Sequence, residues 1–199
     1  MAHPPIEVAV LICCHQSKKY VHDCLRSVLD SKDPGILTHV VVVDDASTDG
    51  TGELVKQDFP EVHCIRIETN CGFSGANNVG WQHVRQSYPN VRYIALLNID
   101  TIVHCGYLRS LVDYLEEHGD VGAAQAKLML HPERDRINSA GNRCHFLGFG
   151  TMTGYREQDH GQYDQPRSID YASGAMVMIR REPLEQVGLF DPTFYMYLE

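Results

Sequence analysis

Residues 40–51 read Val40-Val41-Val42-Val43-Asp44-Asp45-Ala46-Ser47-Thr48-Asp49-Gly50-Thr51, and they carry the strongest indication of the fold class. Four consecutive valines predict a strand that is buried on both faces, which is typical of a parallel sheet covered by helices. The strand delivers two carboxylates, Asp44 and Asp45, to its end. One such carboxylate is as well explained by capping the following turn as by function. The pair together favours binding, because carboxylates accept hydrogen bonds from a ring imide N–H or from ribose hydroxyls.

Apolar segments of two kinds alternate along the rest of the chain. The predicted strands are 6–12, 39–43, 62–67, 93–97, 121–128 and 172–180, and the predicted helices are 20–29, a helix after the turn at 47–51, 74–86, 106–117 and 183–187. This alternation indicates an α/β fold whose mostly parallel sheet carries helices on both faces. Such sheets bind ligands beyond the carboxyl ends of their strands. The polar residues that follow the strands, at 13–16, 44–45, 69–70 and 98–100, are therefore predicted to share one edge.

The composition limits the location and the partners of the protein. The chain has 199 residues, 43% of them hydrophobic and 22% charged, which suits one globular domain. It contains no apolar stretch long enough to span a bilayer, and residues 1–5 lack the features of a signal peptide, so we predict a cytoplasmic protein. Attachment to the inner face of the membrane through a further segment stays open. The formal net charge of -9 argues against a nucleic-acid partner, and an anionic ligand would need a divalent cation beside it.

The seven cysteines are an odd number, and no two of them have C-x-x-C spacing. We interpret them as small buried side chains in a reducing compartment. A zinc site formed by Cys13, Cys14 and His15 is the alternative. It is disfavoured because adjacent side chains of a strand point to opposite faces.

A second polar pair follows the predicted strand at 93–97. Asp100 lies two residues after Asn98 in Leu96-Leu97-Asn98-Ile99-Asp100-Thr101. One carboxylate together with the oxygens of a diphosphate is a common way to hold Mg²⁺ or Mn²⁺, which makes Asp100 the candidate metal ligand. Asn98 stands where a D-x-D motif has its first acid and offers a weaker, neutral oxygen. A turn-capping role for Asp100 is the plainer alternative.

A glycine-rich segment, Asn70-Cys71-Gly72-Phe73-Ser74-Gly75-Ala76-Asn77-Asn78-Val79-Gly80, precedes the third predicted helix. Glycines permit tight turns and close approach of the backbone, and a helix that begins near Ser74 would point free N–H groups towards an anion. The segment is not a P-loop, because G-x-x-x-x-G-K-[ST] does not occur in the chain. The first predicted strand is not followed by G-x-G-x-x-G, which disfavours a classical dinucleotide fold.

The character of the chain changes near residue 126. Residues 131–165 are polar and rich in glycine, and we interpret them as loops and short strands, with a hairpin over the site. We therefore predict one domain, 1–199, with a nucleotide-binding half at 1–128 and the start of an acceptor-binding half at 129–199. Arg180 and Arg181 are interpreted as a solvated pair. The aromatic residues at 194–197 are interpreted as core from which Glu199 emerges.

Four of these segments, taken in order, resemble the family 2 glycosyltransferases, inverting enzymes with the GT-A fold. The segments are VVVVDDASTDGT, NCGFSGANNVG, LLNID and ASGAMVMIRREPLEQVGLFDPTFYMYLE. They resemble, respectively, the end of the family's donor-binding strand, the N-x-G-F-x-x-x-N pattern of its rhamnosyltransferase-like branch, its metal motif, and the stretch that leads into a Glu-Asp pair. The resemblance implies metal-assisted transfer of a sugar from a nucleoside-diphosphate sugar to a glycan or lipid-linked saccharide, in polysaccharide or cell-surface glycan synthesis. The N-x-G-F pattern favours rhamnose on dTDP.

The resemblance also implies roles for individual residues. Asp45 would contact the base, the backbone around Cys13 would line the nucleoside pocket, and Asp100 would hold the metal. The full set of implied donor- and acceptor-binding residues is Cys13, Asp44, Asp45, Asn77, Asn98, Ser173 and Gly174. His15 and Gln16 depart from the Tyr-Asn that the family often has, so the contacts of that loop are open.

The family's catalytic base is the Asp that follows the Glu, and the sequence ends at Glu199. The resemblance therefore implies a chain truncated just before its base, which binds donor but transfers sugar weakly, with Glu199 as the nearest remaining catalytic candidate. A non-catalytic domain that recognises a nucleotide sugar or a glycan is the first alternative, supported by Asn98 and the abrupt end. A nucleotidyltransferase is the second, and it is disfavoured because residues 1–29 contain no glycine-rich basic motif.

Overall fold

The structure is a computed structural model and describes residues 4–196. In chain order its elements are β1 (Ile6–Cys14), α1 (Val21–Asp30), β2 (Ile36–Asp45), α2 (Thr51–Asp58), β3 (His63–Ile67), α3 (Gly72–Ser87), β4 (Val91–Asn98), α4 (Tyr107–Glu117), β5 (Ala123–Gln125), β6 (Leu128–Met129), β7 (Ile137–Ser139), β8 (Asn142–Cys144), β9 (Gly150–Met152), β10 (Met176–Arg180) and α5 (Arg181–Val187). Six strands form a sheet in the order β3-β2-β1-β4-β10-β5. Two ribbons, β6 with β7 and β8 with β9, lie outside it. The α/β prediction with a mostly parallel sheet is confirmed.

The four valines of β2 form part of two hydrophobic cores, one on each face of the sheet. Val40 and Val42 belong to the core that holds α1, α2 and α4, whereas Val41 and Val43 belong to the core that holds α3 and α5. β2 pairs in parallel with β1 on one side and with β3 on the other. An unbroken apolar run suits this position, because both faces of the strand are covered.

The carboxyl ends of the first four strands meet at one edge of the sheet, as predicted. β1, β2, β3 and β4 are all parallel, so their last residues, Cys14, Asp45, Ile67 and Asn98, lie along the same edge. β10 runs in the opposite direction and begins at this edge, where Met176 pairs with Leu97. The loop before β10 therefore joins the same edge.

The strand predicted at 121–128 is shorter than expected and does not lie beside β4. Residues 123–125 form β5 at the border of the sheet, and residues 128–129 form β6 in a separate ribbon. β10 lies between β4 and β5 and is antiparallel to both. A β-α-β unit determines that its two strands are parallel, and it leaves open whether a later strand is inserted between them.

Arg180 and Arg181 are not a solvated pair, contrary to our interpretation. The Arg180 guanidinium donates to the carbonyls of Val121, Leu115 and His118, at the C-terminal end of α4. Arg181 donates in the same way to carbonyls that follow α3, including those of Tyr88, Pro89 and Val91. Helix C-termini leave carbonyl groups without intrahelical partners, and arginine satisfies several of them at once. Both arginines therefore brace the edge opposite the carboxyl ends of the parallel strands.

Cys13 and Cys14 lie on opposite faces of the sheet, which confirms that prediction. Cys13 packs against the core of α3, and Cys14 is part of the core of α1. Within residues 4–196, no three His, Cys, Asp or Glu side chains come together in a group that could hold a metal ion. No helix in the same range is long and apolar enough to cross a membrane.

Candidate functional site

The loops after β1 and β2 are joined by the side chain of Gln16. Gln16 Oε1 accepts the N–H groups of Thr48 and Asp49 at 3.1 Å each, and Gln16 Nε2 donates to Thr48 Oγ1 at 2.9 Å. The backbone N–H of Gln16 donates to Ser47 Oγ at 3.0 Å, and His15 Nδ1 donates to the carbonyl of Asp45. These bonds make one rigid wall from the two loops that follow the first two strands. Gln16, which stands where the family often has Asn, thus joins the two loops. The sequence had left the contacts of this residue open.

Asp45 caps α3 from the end of β2. Its two carboxylate oxygens accept the backbone N–H groups of Cys71 and Gly72 at 2.9 and 3.0 Å, at the first residues of the helix. The predicted cap, Ser74, is instead buried inside the helix. A helix N-terminus needs acceptors for its free N–H groups, and a carboxylate is especially favourable there because of the helix dipole. The helix therefore begins two residues earlier than predicted.

Asp44 is a structural residue, because its side chain is completely buried. Asp44 Oδ1 accepts the backbone N–H of Ser47 at 3.1 Å, and Asp44 Oδ2 accepts Arg66 Nη1 at 2.9 Å. Arg66 also donates to the carbonyl of Ser47 at 2.8 Å. The capping alternative thus describes the observed contacts of Asp44, and its implied place at the donor site stays a prediction. The contact of Asp45 with a base stays a prediction, since its carboxylate is 3% exposed and retains lone pairs for further donors.

Asp100 presents an exposed carboxylate at this edge. It follows β4 by two residues, beyond the partly buried Asn98. The Cys24 thiol donates to the carbonyl of Asn98 at 3.7 Å. Burial, and after it the nearby Asp100 carboxylate, raises the pKa of this thiol to about 12. The described residues 4–196 place no hydrogen-bond donor on the Asp100 carboxylate, so the group is available to a ligand.

The residues at this edge fit a metal ion that is coordinated by both the protein and a bound diphosphate. Asp100 supplies one carboxylate and Asn98 one amide oxygen, and the described chain assembles no cluster of three acidic, histidine or cysteine ligands there. Mg²⁺ is commonly bound by one or two carboxylates and completed by phosphate oxygens and water. The donor set therefore suits Mg²⁺ or Mn²⁺ held jointly with a diphosphate, rather than an ion caged by protein alone.

Ser173 and Gly174 lie at the same edge, at the start of β10. The carbonyl of Ala175 accepts the N–H of Asn98 at 3.2 Å, which connects this loop to the end of β4. Gly174 lies against the ring of Phe73 in α3, and the N–H of Ser173 donates to Gln125 Oε1 at 2.6 Å. Ser173 and Gly174 thus lie close to the end of β4, and their implied place beside the acceptor stays a prediction.

Asn77 and Asn78, neighbours in α3, have different contacts. Asn77 is 2% exposed and donates to the carbonyl of Phe73 inside its own helix. Asn78 forms a reciprocal pair with Phe190, because its side chain donates to the Phe190 carbonyl and accepts the Phe190 N–H. Asn78 thus fixes the segment after α5 to α3, and the implied place of Asn77 near the donor stays a prediction.

The last described residues return to this edge. A Cβ at Gly72 would lie 2.4 Å from the carbonyl oxygen of Tyr195, and the Tyr195 hydroxyl donates to Asn70 Oδ1. Gly72 is also the residue whose N–H donates to Asp45. The chain at Tyr195 is thus beside the cap of α3. Glu199 lies outside the described residues.

A cavity of about 820 Å³ lies elsewhere, between α4, β5 and residues 163–169. Lys127 lines it and makes ion pairs of 2.6 Å with both Asp159 and Asp164. Gln125 also lines the cavity. Its side-chain nitrogen donates to Ser139 Oγ and to the carbonyl of Ala126, and its side-chain oxygen accepts the N–H of Ser173. The cavity therefore borders the loop that holds Ser173, and neither Asp45 nor Asp100 lines it.

Several residues that organise the site were missed by sequence reasoning. Arg66, Gln125 and Asn78 act through partners that are 22, 48 and 112 positions away in the chain. The only local signal was the pairing of a polar side chain with an otherwise apolar strand, as in Arg66 of β3.

The comparison with known sequences agrees with the motifs. The model of the family described as "Glycosyl transferase family 2" matches residues 9–188. A putative teichuronic acid biosynthesis glycosyltransferase of Bacillus subtilis is 30% identical over 96 residues, which cover 47% of this chain and 35% of the relative. An N-acetylglucosaminyl-diphospho-decaprenol L-rhamnosyltransferase of Mycobacterium tuberculosis is 25% identical over 179 residues, which cover 80% of this chain and 57% of the relative. The chain thus spans about a third to a little over half of these relatives.

Solved structures share the fold. The mannosyltransferase PcManGT from Pyrobaculum calidifontis, solved in complex with GDP-Man and Mn²⁺, has a TM-score of 0.63 and 18% identity, covering 93% of this chain and 47% of that one. Staphylococcus aureus TarS 1-349 has a TM-score of 0.67 and 19% identity, covering 96% of this chain and 52% of that one. These neighbours are GT-A glycosyltransferases. The strand-end motifs, the family match and the shared architecture together show that the chain belongs to glycosyltransferase family 2 and has the GT-A fold.

Proposed function

We propose that the carboxyl edge of the sheet is the donor site of a sugar transferase that uses a nucleoside-diphosphate sugar. The observation that carries this proposal is the exposed carboxylate of Asp100, at the end of β4 and beside Asn98. In a protein of net charge -9, an anionic diphosphate is accepted most readily where a cation offsets the negative field. The PcManGT complex, which contains both GDP-Man and Mn²⁺, supports the same arrangement by analogy.

The residues of this chain have distinct parts in the proposed reaction. Asp100, with Asn98, would hold Mg²⁺ or Mn²⁺, and the bound ion would neutralise charge on the departing nucleoside diphosphate. Asp45 holds the start of α3 in position and remains the predicted contact for the base. The wall formed by Gln16 orients the loops that would enclose the nucleoside.

Inversion at the sugar requires a base that removes the proton of the acceptor hydroxyl from the side opposite the leaving group. We propose that the acceptor approaches over Ser173 and Gly174, at the start of β10. Glu199, or the Asp that the family pattern places after it, remains the predicted base. The proposed division into a nucleotide-binding half at 1–128 and an acceptor-binding half from 129 follows from the same arrangement.

The matched relatives narrow the proposed pathway to cell-surface glycans. One is named for teichuronic acid biosynthesis, and the other is a rhamnosyltransferase whose named acceptor is N-acetylglucosaminyl-diphospho-decaprenol. We therefore propose a glycan or lipid-linked saccharide as acceptor and dTDP-rhamnose as the first donor to test. A cytoplasmic location is proposed with this donor class, and the seven free thiols agree with a reducing compartment.

Calorimetric titration with a panel of nucleoside diphosphates and nucleotide sugars, with and without Mn²⁺, tests the proposed donor site. We expect one nucleotide to bind in a metal-dependent manner, and Asp100→Ala to weaken that binding by about tenfold or more, since a carboxylate that shares the ion is lost. Asp113→Ala is the matched control, because Asp113 is an exposed carboxylate of α4 that pairs with Arg109. It should bind as the unmodified chain does.

Two outcomes would contradict the proposal. Equal binding by Asp100→Ala would remove Asp100 from the donor site. An absence of binding to every nucleotide, in a chain shown by circular dichroism to be folded, would favour the alternative of a non-catalytic glycan-binding domain.

A further inference from the structure

The tip of the β8–β9 hairpin exposes three large apolar side chains. The loop from His145 to Phe149 connects the two strands, and Phe146, Leu147 and Phe149 are 87%, 64% and 65% exposed. Exposed apolar residues are ordinary when they are scattered, but three at one tip form a patch that water solvates poorly. No part of residues 4–196 covers this tip.

The exposure is imposed by an ordered turn. The N–H of His145 donates to the carbonyl of Phe149 at 2.8 Å, and the N–H of Gly148 donates to the carbonyl of His145 at 2.7 Å. The His145 ring packs on that of Phe146, with ring centroids 4.2 Å apart. At the base of the hairpin, the N–H of Cys144 donates to the Asp170 carboxylate at 2.8 Å. The turn is thus ordered by its own hydrogen bonds, and it holds the apolar side chains outward.

The hairpin itself, residues 142–152, carries no acidic residue, and Arg143 is its one Lys or Arg. Residues 136–156 contain no Asp or Glu, in a chain that has 26 of them and a net charge of -9. The same interval contains Arg136, Arg143 and Arg156, together with His145. Arg143 is exposed on β8, directly below the tip. The Asp170 carboxylate lies at the base, where it accepts the N–H of Cys144. The hairpin therefore presents apolar groups at its end and the positive charge of Arg143 beneath them.

The hairpin is connected to the functional edge by a chain of hydrogen bonds. Asn142 Oδ1, at the start of β8, accepts from Ser139 Oγ at 2.9 Å. Gln125 Nε2 donates to Ser139 Oγ at 3.4 Å, and Gln125 Oε1 accepts the N–H of Ser173 at 2.6 Å. Phe146 lies four positions after Asn142, so it is at most about 13 Å from it at about 3.3 Å per residue. The base of the hairpin is thus connected to the loop that precedes β10, and the tip projects from that base.

We propose that this hairpin tip docks the protein on the surface of an anionic lipid bilayer. Phe146, Leu147 and Phe149 enter the interface between headgroups and acyl chains, and Arg143 contacts the anionic headgroups. Amphipathic elements bind membranes by this combination of buried apolar area and attraction to anionic lipids. A tip of three side chains is too small for a stable protein interface, which needs roughly 1,000 Å² or more. A bilayer, by contrast, surrounds a narrow projection on all sides. The docking is independent of the proposed sugar transfer.

Cosedimentation with vesicles tests the proposal on the chain as it exists. We expect this chain to bind vesicles of phosphatidylcholine mixed with phosphatidylglycerol in equal parts, more strongly than vesicles of phosphatidylcholine alone. The binding should weaken at high salt, because the headgroup attraction is screened. The triple variant Phe146→Ser, Leu147→Ser, Phe149→Ser should bind about tenfold or more weakly, since it loses most of the apolar area. Val187→Ser is the matched control, because Val187 is an 83% exposed apolar residue of α5 outside the hairpin.

A second readout does not depend on the triple variant. Phe146→Trp should shift its fluorescence emission to shorter wavelength when anionic vesicles are added, whereas the buried Trp81 of the unmodified chain should not respond. The proposal is overturned if the unmodified chain does not bind anionic vesicles, or if the triple variant binds as it does. A dimer that becomes a monomer in the triple variant, without any vesicle binding, would assign the tip to a second copy of this chain.

Discussion

Replacing Arg66 with methionine is expected to lower the free energy of unfolding by about 3 kcal/mol or more. Arg66 Nη1 lies 2.9 Å from Asp44 Oδ2, and the Asp44 side chain is completely buried. Removing the partner of a buried charge leaves that charge uncompensated in a medium that solvates it poorly. The bond from Arg66 to the carbonyl of Ser47 is lost as well. Urea denaturation at neutral pH measures the change.

A double variant separates the charge effect from the loss of packing. Arg66→Met combined with Asp44→Asn should recover part of the stability, because no unpaired charge then remains. Arg85→Met is the matched control, since Arg85 pairs with Glu185 at 2.6 Å but is 58% exposed. An exposed pair contributes about 0–1 kcal/mol. If Arg66→Met were no more destabilising than Arg85→Met, the pair between Arg66 and Asp44 would not stabilise the ends of β2 and β3.

Replacing Gly80 with valine is expected to destabilise the protein by about 3 kcal/mol or more, at the upper end of overpacking effects. Gly80 lies in α3 against β1, where a Cβ would be 2.2 Å from Leu11 Cδ1 and 3.0 Å from Cδ2. Leu11 is fully buried between packed neighbours, so it cannot move aside without displacing them. The midpoint and slope of urea unfolding would report the change.

Two further variants test the origin of this effect. Gly119→Val is the matched control, because no other heavy atom lies within 4 Å of the Cβ position there. Its change should stay within about 0.5 kcal/mol. Gly80→Val combined with Leu11→Ala should be less destabilised than the sum of the two single changes, because the alanine vacates the contested space. Additive effects would mean that contact with Leu11 is not the cause.

The parallel part of the fold was predictable because its signals are local. The valines of β2 identify a strand covered on both faces, and the alternation of strands and helices places the ends of β1 to β4 at one edge. The position of β10 was not predictable in this way. Its residues have the composition of a buried strand, but its place between β4 and β5 depends on pairing with strands more than 50 residues earlier.

The candidate site also has features that local sequence predicts and features that depend on distant residues. Asp100 was located by its distance from the end of one strand, which is a local property. Asp44 and Asp45 are adjacent and look equivalent in sequence, yet one pairs with Arg66 in the interior and the other caps α3. Side chains alternate along a strand, so each carboxylate meets different neighbours. Those neighbours come from β3 and from the loop after it.

The α/β class, the edge at which the polar residues gather and the carboxylate that follows β4 could all be predicted from the sequence. These follow from hydrophobic periodicity and strand direction, which act over a few residues. The folded structure was needed to show which carboxylate is buried, why α3 begins at Gly72, where Arg180 and Arg181 bind, and that the β8–β9 tip stays uncovered. Each of these depends on desolvation and on hydrogen-bond partners that are brought together from distant parts of the chain. A buried polar group must find such a partner, and the folded chain selects which one it is.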